Sequence, residues 1–335
     1  MSTIIDRLRR SAEPSIRYKV LVNTLSEDEG SKKARALRRE IKRSSRVASL
    51  LEDWDEKGGL RPVKNPYSKW RGAHWVIATL ADIGYPSADK DLIPIVDQVL
   101  DCWLRPDDIR ERDYGAGPAP RSFRGVPIVQ GRARRCASQQ GNALYAAVTL
   151  GFHDERSHQL AKLLMRWQWP DGGWNCDKKP EAATSSFWES LIPLRALSKY
   201  ASLTGDSDVT DAVARAAELF LQRRLFKRRS DDSVMNPQFL RLHYPCYWRY
   251  DILFALKVMA ESGYISDPRC AEALDTLESK RLPDGGWPAE ERFYKGPSSR
   301  GSGQEHVSWG GVNKKRMNEW VTADALFVRR AAGRL

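Results

Sequence analysis

An all-α chain closed into a ring of helical hairpins is the fold this sequence predicts, and three observations carry the prediction. The first is a repeated Gly-Gly turn: Gly58-Gly59-Leu60, Gly172-Gly173-Trp174 and Gly285-Gly286-Trp287 start 114 and 113 residues apart. Halving those gaps gives a repeat of about 57 residues, long enough for two helices and their loops. The second is helical periodicity without convincing strands, clearest where Val209, Ala212, Val213, Ala216, Ala217 and Phe220 keep the i, i+3, i+4, i+7 spacing of one buried face. The third is alternation, since six second-type helices interleave with first-type helices. That pattern favours two concentric sets, because closure buries the end faces that an open stack would have to cap. The rival is an open right-handed solenoid of five hairpins.

Taken in order, residues 1–31 form a helical lead-in, with Pro14 opening a short helix through IRYKVLVNTL that stops at SEDEG. First helices are expected over Lys33 to Asp53, Leu92 to Leu104, Arg156 to Gln168, Val209 to Leu225 and Pro268 to Arg281. Second helices should begin near Tyr67, Cys136, Thr184, Tyr247 and Asn318. The junction from Arg166 to Leu197 is the most readable. Leu160, Leu163, Leu164 and Trp167 close one helix, Pro170 ends it, and Asp171-Gly172-Gly173 makes the turn. Ser186 and Glu189 then have the spacing of a capping box, with Trp188, Leu191 and Ile192 on the new apolar face. Two insertions, 105–135 and 295–311, are rich in Gly and Arg and read as loops that can fold over a mouth. All 335 residues are expected to form a single domain.

Composition narrows the function classes. A hydrophobic content of 41% supports a sizeable core, and no run of about 18 apolar residues or secretion-type leader is present, so a cytoplasmic location is expected. The five cysteines are scattered and never in a CxxC pair, which suggests neither a disulfide framework nor a zinc knuckle. A net charge of +12 favours an anionic partner: a phosphorylated small molecule, an acidic lipid surface touched peripherally, or nucleic acid. The densest basic run, Lys32 to Arg46, is punctuated by Ala36, Leu37 and Ile41, and so reads as an amphipathic helix with a solvated face.

Gln168 to Trp174, Q-W-P-D-G-G-W, satisfies the Q-x3-G-x-W pattern, and Arg281 to Trp287 departs from it only at the Gln. On these residues the chain resembles the squalene cyclase and related triterpene cyclase repeat family. Gly172 to Leu197 is also similar to a repeat of protein prenyltransferase β subunits, with a Gly-Gly-aromatic turn, an S-F-W start and an L-x-P-L run. The resemblance implies an (α/α)6 toroid whose central cavity takes isoprenoid chains. It also implies a prenyltransferase zinc site, but the matching positions are Ala182, Thr184 and the neighbourhood of Val321, so no metal and no cofactor is expected. The D-x-D-D acid of class II cyclases is missing; Asp53-Trp54-Asp55-Glu56 comes nearest and reads as a solvated helix end. Asp107 to Glu111 imitates a DDxxE magnesium motif but follows Pro106, has no partner motif, and reads as loop.

In a closed ring the second helices present their N-termini at one mouth, where free N–H groups and the helix dipole suit an anion. Glu189, Asp251 and Asp324 are the expected catalytic carboxylates, each beside an aromatic or basic residue near that mouth. His74, Trp75, Gln140, Trp188, His243, Tyr247, Trp248, Arg249 and Trp320 are the expected substrate-binding residues, and His306 stands in the second lid. Each has a plainer structural reading: a helix cap for Glu189, an ion pair for Asp251, core packing for the tryptophans and a structural hydrogen bond for His243. Two function classes stay open. One is an isoprenoid-handling enzyme acting on an apolar substrate that can carry a diphosphate; the other is a non-catalytic scaffold binding protein or nucleic acid through basic surfaces. A sugar-processing toroid comes third, since paired carboxylates in a helical barrel also cleave glycosides.

Overall fold

The computed structural model describes residues 3–52, 65–296, 302–305 and 307–335. In chain order the helices are α1 (Ile4–Arg9), α2 (Pro14–Lys19, continued by a π turn over Val20–Thr24), α3 (Lys32–Lys42), α4 (Ser45–Leu51), α5 (Ala73–Asp82), α6 (Ile93–Leu104) and α7 (Pro106–Ile109). They continue with α8 (Ala137–Thr149), α9 (Glu155–Arg166), α10 (Phe187–Thr204), α11 (Ser207–Leu221), α12 (Ile252–Glu261), α13 (Ala271–Glu278) and α14 (Glu319–Ala331). An inner ring of α2, α5, α8, α10, α12 and α14 is backed by α3, α6, α9, α11 and α13. From α5 to α14 each inner helix packs on the next, and α14 then packs on α2 and its π turn. Between α2 and α5 the ring closes through Lys19 Nζ to Asp82 Oδ2 at 3.1 Å and through Tyr18, whose ring lies against Gly84. The toroid is therefore closed, and the open solenoid is ruled out. Helix α1 locks the seam: Arg7 pairs with Asp284 at 3.0 Å and Ile4 sits against Gly285, in the turn of the last repeat.

The Q-x3-G-x-W turn works as a helix-end clamp. An α-helix leaves its last carbonyls without partners. Trp174 Nε1 donates to Leu164 O at 2.9 Å, and Trp287 Nε1 donates to Leu277 O at 2.8 Å, so each buried indole caps the helix ten residues upstream. Gln168 Nε2 donates to Gly172 O and Ala212 O, both at 2.8 Å, while its oxygen accepts from Arg215, fastening the turn to α11. Arg281 reproduces only the first of these bonds, to Gly285 O at 3.2 Å, having no acceptor to offer. Inner helices close the clamp in the same way in both repeats: Ser190 Oγ accepts from Trp174 N, and Thr322 Oγ1 from Trp287 N, each at 2.9 Å. Helix α11 buries all six of its periodic apolar residues, as the spacing predicts.

Several boundaries differ from expectation for physical reasons. The long first helix breaks in two because Ser44 turns its hydroxyl to the N–H of Val47 and starts α4. Second helices begin later than their aromatic starts: α5 follows a turn that ends at Gly72, and α12 follows Asp251, whose carboxylate caps Phe254 N at 2.7 Å. At α10 no capping box forms: the Ser186 side chain makes no capping bond, its N–H donates to Trp174 O at 2.8 Å, and the Glu189 carboxylate turns to Ser138 of α8. The 105–135 insertion, expected as loop, carries three short strands: β1 (Glu111–Asp113), β2 (Val126–Val129) and β3 (Arg132–Ala133), with β1 parallel and β3 antiparallel to β2. The Asp53 to Glu56 run, the Gly58-Gly59-Leu60 turn and His306 lie outside the described residues.

Candidate functional site

Close approach of two inner helices builds the site. Gly141 of α8 faces α10 at Pro193; a β-carbon at Gly141 would stand 2.9 Å from the Pro193 nitrogen, so only glycine lets the backbones meet. One turn nearer the mouth, the same approach brings Ser138 to Glu189. Ser138 donates to Glu189 Oε2 from both its N–H, at 3.2 Å, and its hydroxyl, at 2.8 Å. The other oxygen, Oε1, faces Cys176 Sγ at 3.6 Å. Backbone pairing places the second thiol: Arg134 bridges Asn175 in parallel, Arg135 N donates to Asn175 O at 3.1 Å, and the next residues along each strand are Cys136 and Cys176. Ligand atoms of Cys136, Cys176 and Glu189 all lie within 4.8 Å of one another.

A cavity of about 230 Å³ opens onto the two thiols, walled by Arg124, Arg134, Arg135, Lys178, Gln139 and Asp108 among others. Four cations thus face one carboxylate on its walls. Arg124 and Arg105 hold Asp108 at 2.9 and 2.8 Å, and that pairing keeps the Asp108 carboxyl below its ordinary range even though burial opposes it. Lys178 is pinned over the cavity by the carbonyls of Pro120, Arg121 and Phe123, and Arg134 by those of Ala182 and Val129. Buried Gln140, with its amide oxygen toward Arg135, accepts from that guanidinium and donates to Cys136 O at 3.2 Å. Burial pushes the Glu189 carboxyl above its usual value against the Ser138 bonds. Cys136 as hydrogen-bond partner, then burial, raise the Cys176 thiol, and burial pushes the neighbouring Tyr67 phenol up to about 12.

Of the expected carboxylates, Glu189 alone lies in this cluster. Asp251 is fully buried, caps α12, accepts from His243 N at 2.9 Å and pairs with the His243 ring, also at 2.9 Å. Burial lowers the His243 pKa, but Asp251 more than offsets this and the net shift is upward. Asp324 belongs to an ion cluster in which five inner helices meet. Lys19 and Lys257 each bridge Asp82 and Asp324 at 2.8–3.1 Å, and Arg195 joins Asp82 at 3.0 Å and Glu261 at 2.6 Å. Three cations meet three carboxylates, and Tyr145 of α8, the one inner helix that supplies no charge, packs its ring 3.9 Å from the Arg195 guanidinium. The axis expected as an apolar chamber is therefore crossed by charge. On its mouth side remains a space of about 40 Å³, lined by Thr79, Asn142, Tyr244, Tyr247 and Phe254; on the other side lies a polar cleft of about 260 Å³.

The expected binding residues sort by environment. His74 is buried, accepts from Trp103 Nε1 at 3.0 Å and is held neutral by burial, with a pKa of about 3. Trp75 is core, edge-on to Tyr247, whose ring stacks 3.9 Å from Trp70 and whose hydroxyl donates to Glu305. Trp320 stacks on Tyr244 at 4.9 Å. Trp188 and Trp248 are half-buried, with the Arg249 guanidinium 5.3 Å from each ring and 4.4 Å from Phe293. In the basic stretch from Lys32 to Arg46 three side chains stand in ion pairs, Arg38 with Glu29, Lys42 with Asp89 and Asp91, and Arg46 with Glu13, while Lys32, Lys33, Arg35, Arg39 and Arg43 are exposed. Sequence reading missed Cys136, Cys176, Ser138 and the Arg wall. The available signal was positional, since Cys136 immediately precedes a second helix and Cys176 follows the Gly172-Gly173-Trp174 turn that leads into the next one.

No family model and no curated protein matches this chain. Among solved structures it is similar to a type II terpene cyclase, MstE from Scytonema, in an aspartate-to-asparagine and an arginine-to-alanine variant, each in complex with its substrate geranylgeranyl dihydroxybenzoate. Both matches are 17% identical and cover 86% of this chain and 96% of the cyclase, with TM-scores of 0.29 and 0.28. The zinc positions implied by the prenyltransferase resemblance do not fit: Ala182 and Thr184 lie in the loop before α10 and Val321 is buried in α14, and none carries a ligand group. Among the described residues no helix is long and apolar enough to cross a membrane.

Proposed function

We propose that the chain is an enzyme of the isoprenoid-handling toroid class whose reaction centre is the N-terminal mouth of α8 and α10 rather than the ring axis. The observation that carries this reading is the cavity in which four cations surround two thiols beside Glu189. Such a wall suits a phosphate or diphosphate head, which Arg and Lys hold by charge-assisted bonds. The apolar, isoprenoid-type body of the substrate comes from the family resemblance; half-buried Tyr67, Trp188 and Trp248 at the same end of the ring are compatible with it. Glu189 then carries the chemistry at the head, while Asp251 and Asp324 hold the scaffold.

Calorimetric titration with geranylgeranyl diphosphate, geranylgeraniol and inorganic pyrophosphate tests the proposal. The two diphosphates should bind and the alcohol should bind far more weakly. Arg124→Met and Lys178→Met should each weaken diphosphate binding by roughly tenfold to a hundredfold, the worth of one charged hydrogen bond. Equal binding of alcohol and diphosphate, or no binding of either by folded protein, would refute it.

A further inference from the structure

Three ligand groups from three separate stretches of chain converge at the mouth without any short sequence motif to announce them. Cys136 precedes α8, Cys176 follows the Gly172-Gly173-Trp174 turn, and Glu189 lies in the first turn of α10. We infer that Cys136, Cys176 and Glu189 form a binding site for a thiolate-loving divalent ion, Zn²⁺ foremost, with a fourth position open to the Arg-walled cavity.

Distances agree with that assignment. In a tetrahedral site with Zn–S of about 2.3 Å and Zn–O of about 2.1 Å, neighbouring ligand atoms stand roughly 3.5 to 3.8 Å apart. Cys176 Sγ and Glu189 Oε1 are 3.6 Å apart, and the three ligand atoms already lie within 4.8 Å of one another. Little movement is needed to seat an ion among them. The carboxylate is pre-aimed: Ser138 takes Oε2 with two hydrogen bonds, which leaves Oε1 as the ligand atom, the outer-shell arrangement usual around metal-bound carboxylates. The thiols are fixed from behind, Cys136 through Gln140 on its carbonyl and Cys176 through the Asn175 pairing.

Donor chemistry selects the metal. Two thiolates with one carboxylate favour Zn²⁺, or Co²⁺ and Fe²⁺ in its place, over Mg²⁺ or Ca²⁺, which ask for oxygen ligands throughout. Zn²⁺ with two thiolates and one carboxylate carries a net charge of −1, and Arg135 on the cavity wall offsets it. Three protein ligands with one open position is the arrangement of catalytic rather than structural zinc. Both cysteines line the cavity, so the open vertex faces the place where an anionic head would sit. The site itself stands on ligand geometry alone; only the use made of its fourth position rests on the function proposed above.

The test is metal stoichiometry on the full chain, purified without chelator from cells grown with zinc, together with Co²⁺ titration of the stripped protein. About one zinc per chain is expected, and bound Co²⁺ should show thiolate-to-metal charge-transfer bands with the strong visible bands of a tetrahedral site. Cys136→Ser and Cys176→Ser should abolish both signals while keeping the helical circular dichroism of the parent. Ser138→Ala, which removes no ligand, should weaken Zn²⁺ affinity on the order of tenfold to a hundredfold, a loss that a merely structural thiol pair would not show. The inference is overturned if folded wild type takes up neither ion at micromolar concentration, if a Cys136–Cys176 disulfide forms instead, or if the metal survives both serine substitutions. Stoichiometric zinc in a protein that ignores diphosphates would uphold the metal site and remove only the proposed function.

Discussion

Replacing Asp82 by Asn should be among the most damaging single substitutions in the ring, although Asn is the same size. Asp82 accepts from Lys19 at 3.1 Å, Lys257 at 2.8 Å, Arg195 at 3.0 Å and the Tyr244 hydroxyl at 2.9 Å. The amide removes one of three carboxylates opposite three cations, and its NH2 must face an ammonium or a guanidinium. Breaking one partner of a buried ion pair costs about 3–5 kcal/mol, because the charge left behind is uncompensated. Unfolding entropy of about 2.1 cal/mol/K per residue gives roughly 0.7 kcal/mol/K for this length, so the midpoint should fall by about 4–7 °C. Differential scanning calorimetry reads the drop. Adding Lys257→Met removes one cation and should recover part of it. If the single variant melts within about 1 °C of the parent, the cluster is worth no more than a surface ion pair, and the account of the ring centre is wrong. Acid should act on the same group: burial alone would raise the Asp82 carboxyl, but Lys19, Lys257 and Arg195 bring it well below its ordinary value. Its contribution is therefore complete above about pH 4 and is lost only as pH falls toward the depressed native value.

Two further outcomes follow from geometry already described. Gly172 has φ of +95° and a β-carbon there would stand 2.1 Å from Arg215 O, so Gly172→Ala should cost about 2 kcal/mol or more by chemical denaturation; a loss below about 0.5 kcal/mol would contradict the clamp geometry. His243 has a raised native pKa, so its pairing with Asp251 stabilises the fold fully below about pH 6.5 and that share fades as pH rises through the native value. His243→Gln should flatten the decline in stability that sets in above about pH 6.5, and an unchanged slope would show that another group sets it.

Periodicity and punctuation made the ring legible in the sequence, since the α11 face and the Gln168 to Trp174 turn depend on residues close together in the chain. What could not be read there lies between repeats. Cys136 and Cys176 are 40 residues apart and meet only because Arg134 and Asn175 pair their backbones. Ser186 and Glu189 satisfied a capping box on paper, yet Ser138, 51 residues away, won the carboxylate once Gly141 let two helices touch. Asp324 looked like a mouth acid; its helix instead carries it to the axis, where Lys19 and Lys257 await it. Local patterns report on helices, whereas sites in a ring are assembled across its spokes.

Lys19 and Asp324, joined at 2.9 Å, are separated by 305 positions along the chain. At a synthesis rate of about 5–20 residues per second, the lysine leaves the ribosome some 15–60 s before its acidic partner exists. Until then the nascent arc exposes an apolar flank and Lys19 has only Asp82 as an acidic partner, and each further hairpin can only lengthen the arc. Stability of the finished protein is thus gained late, when the last inner helix arrives and the first one finds its neighbour, which makes the C-terminal segment the keystone of the arch and truncation there far costlier than its length suggests.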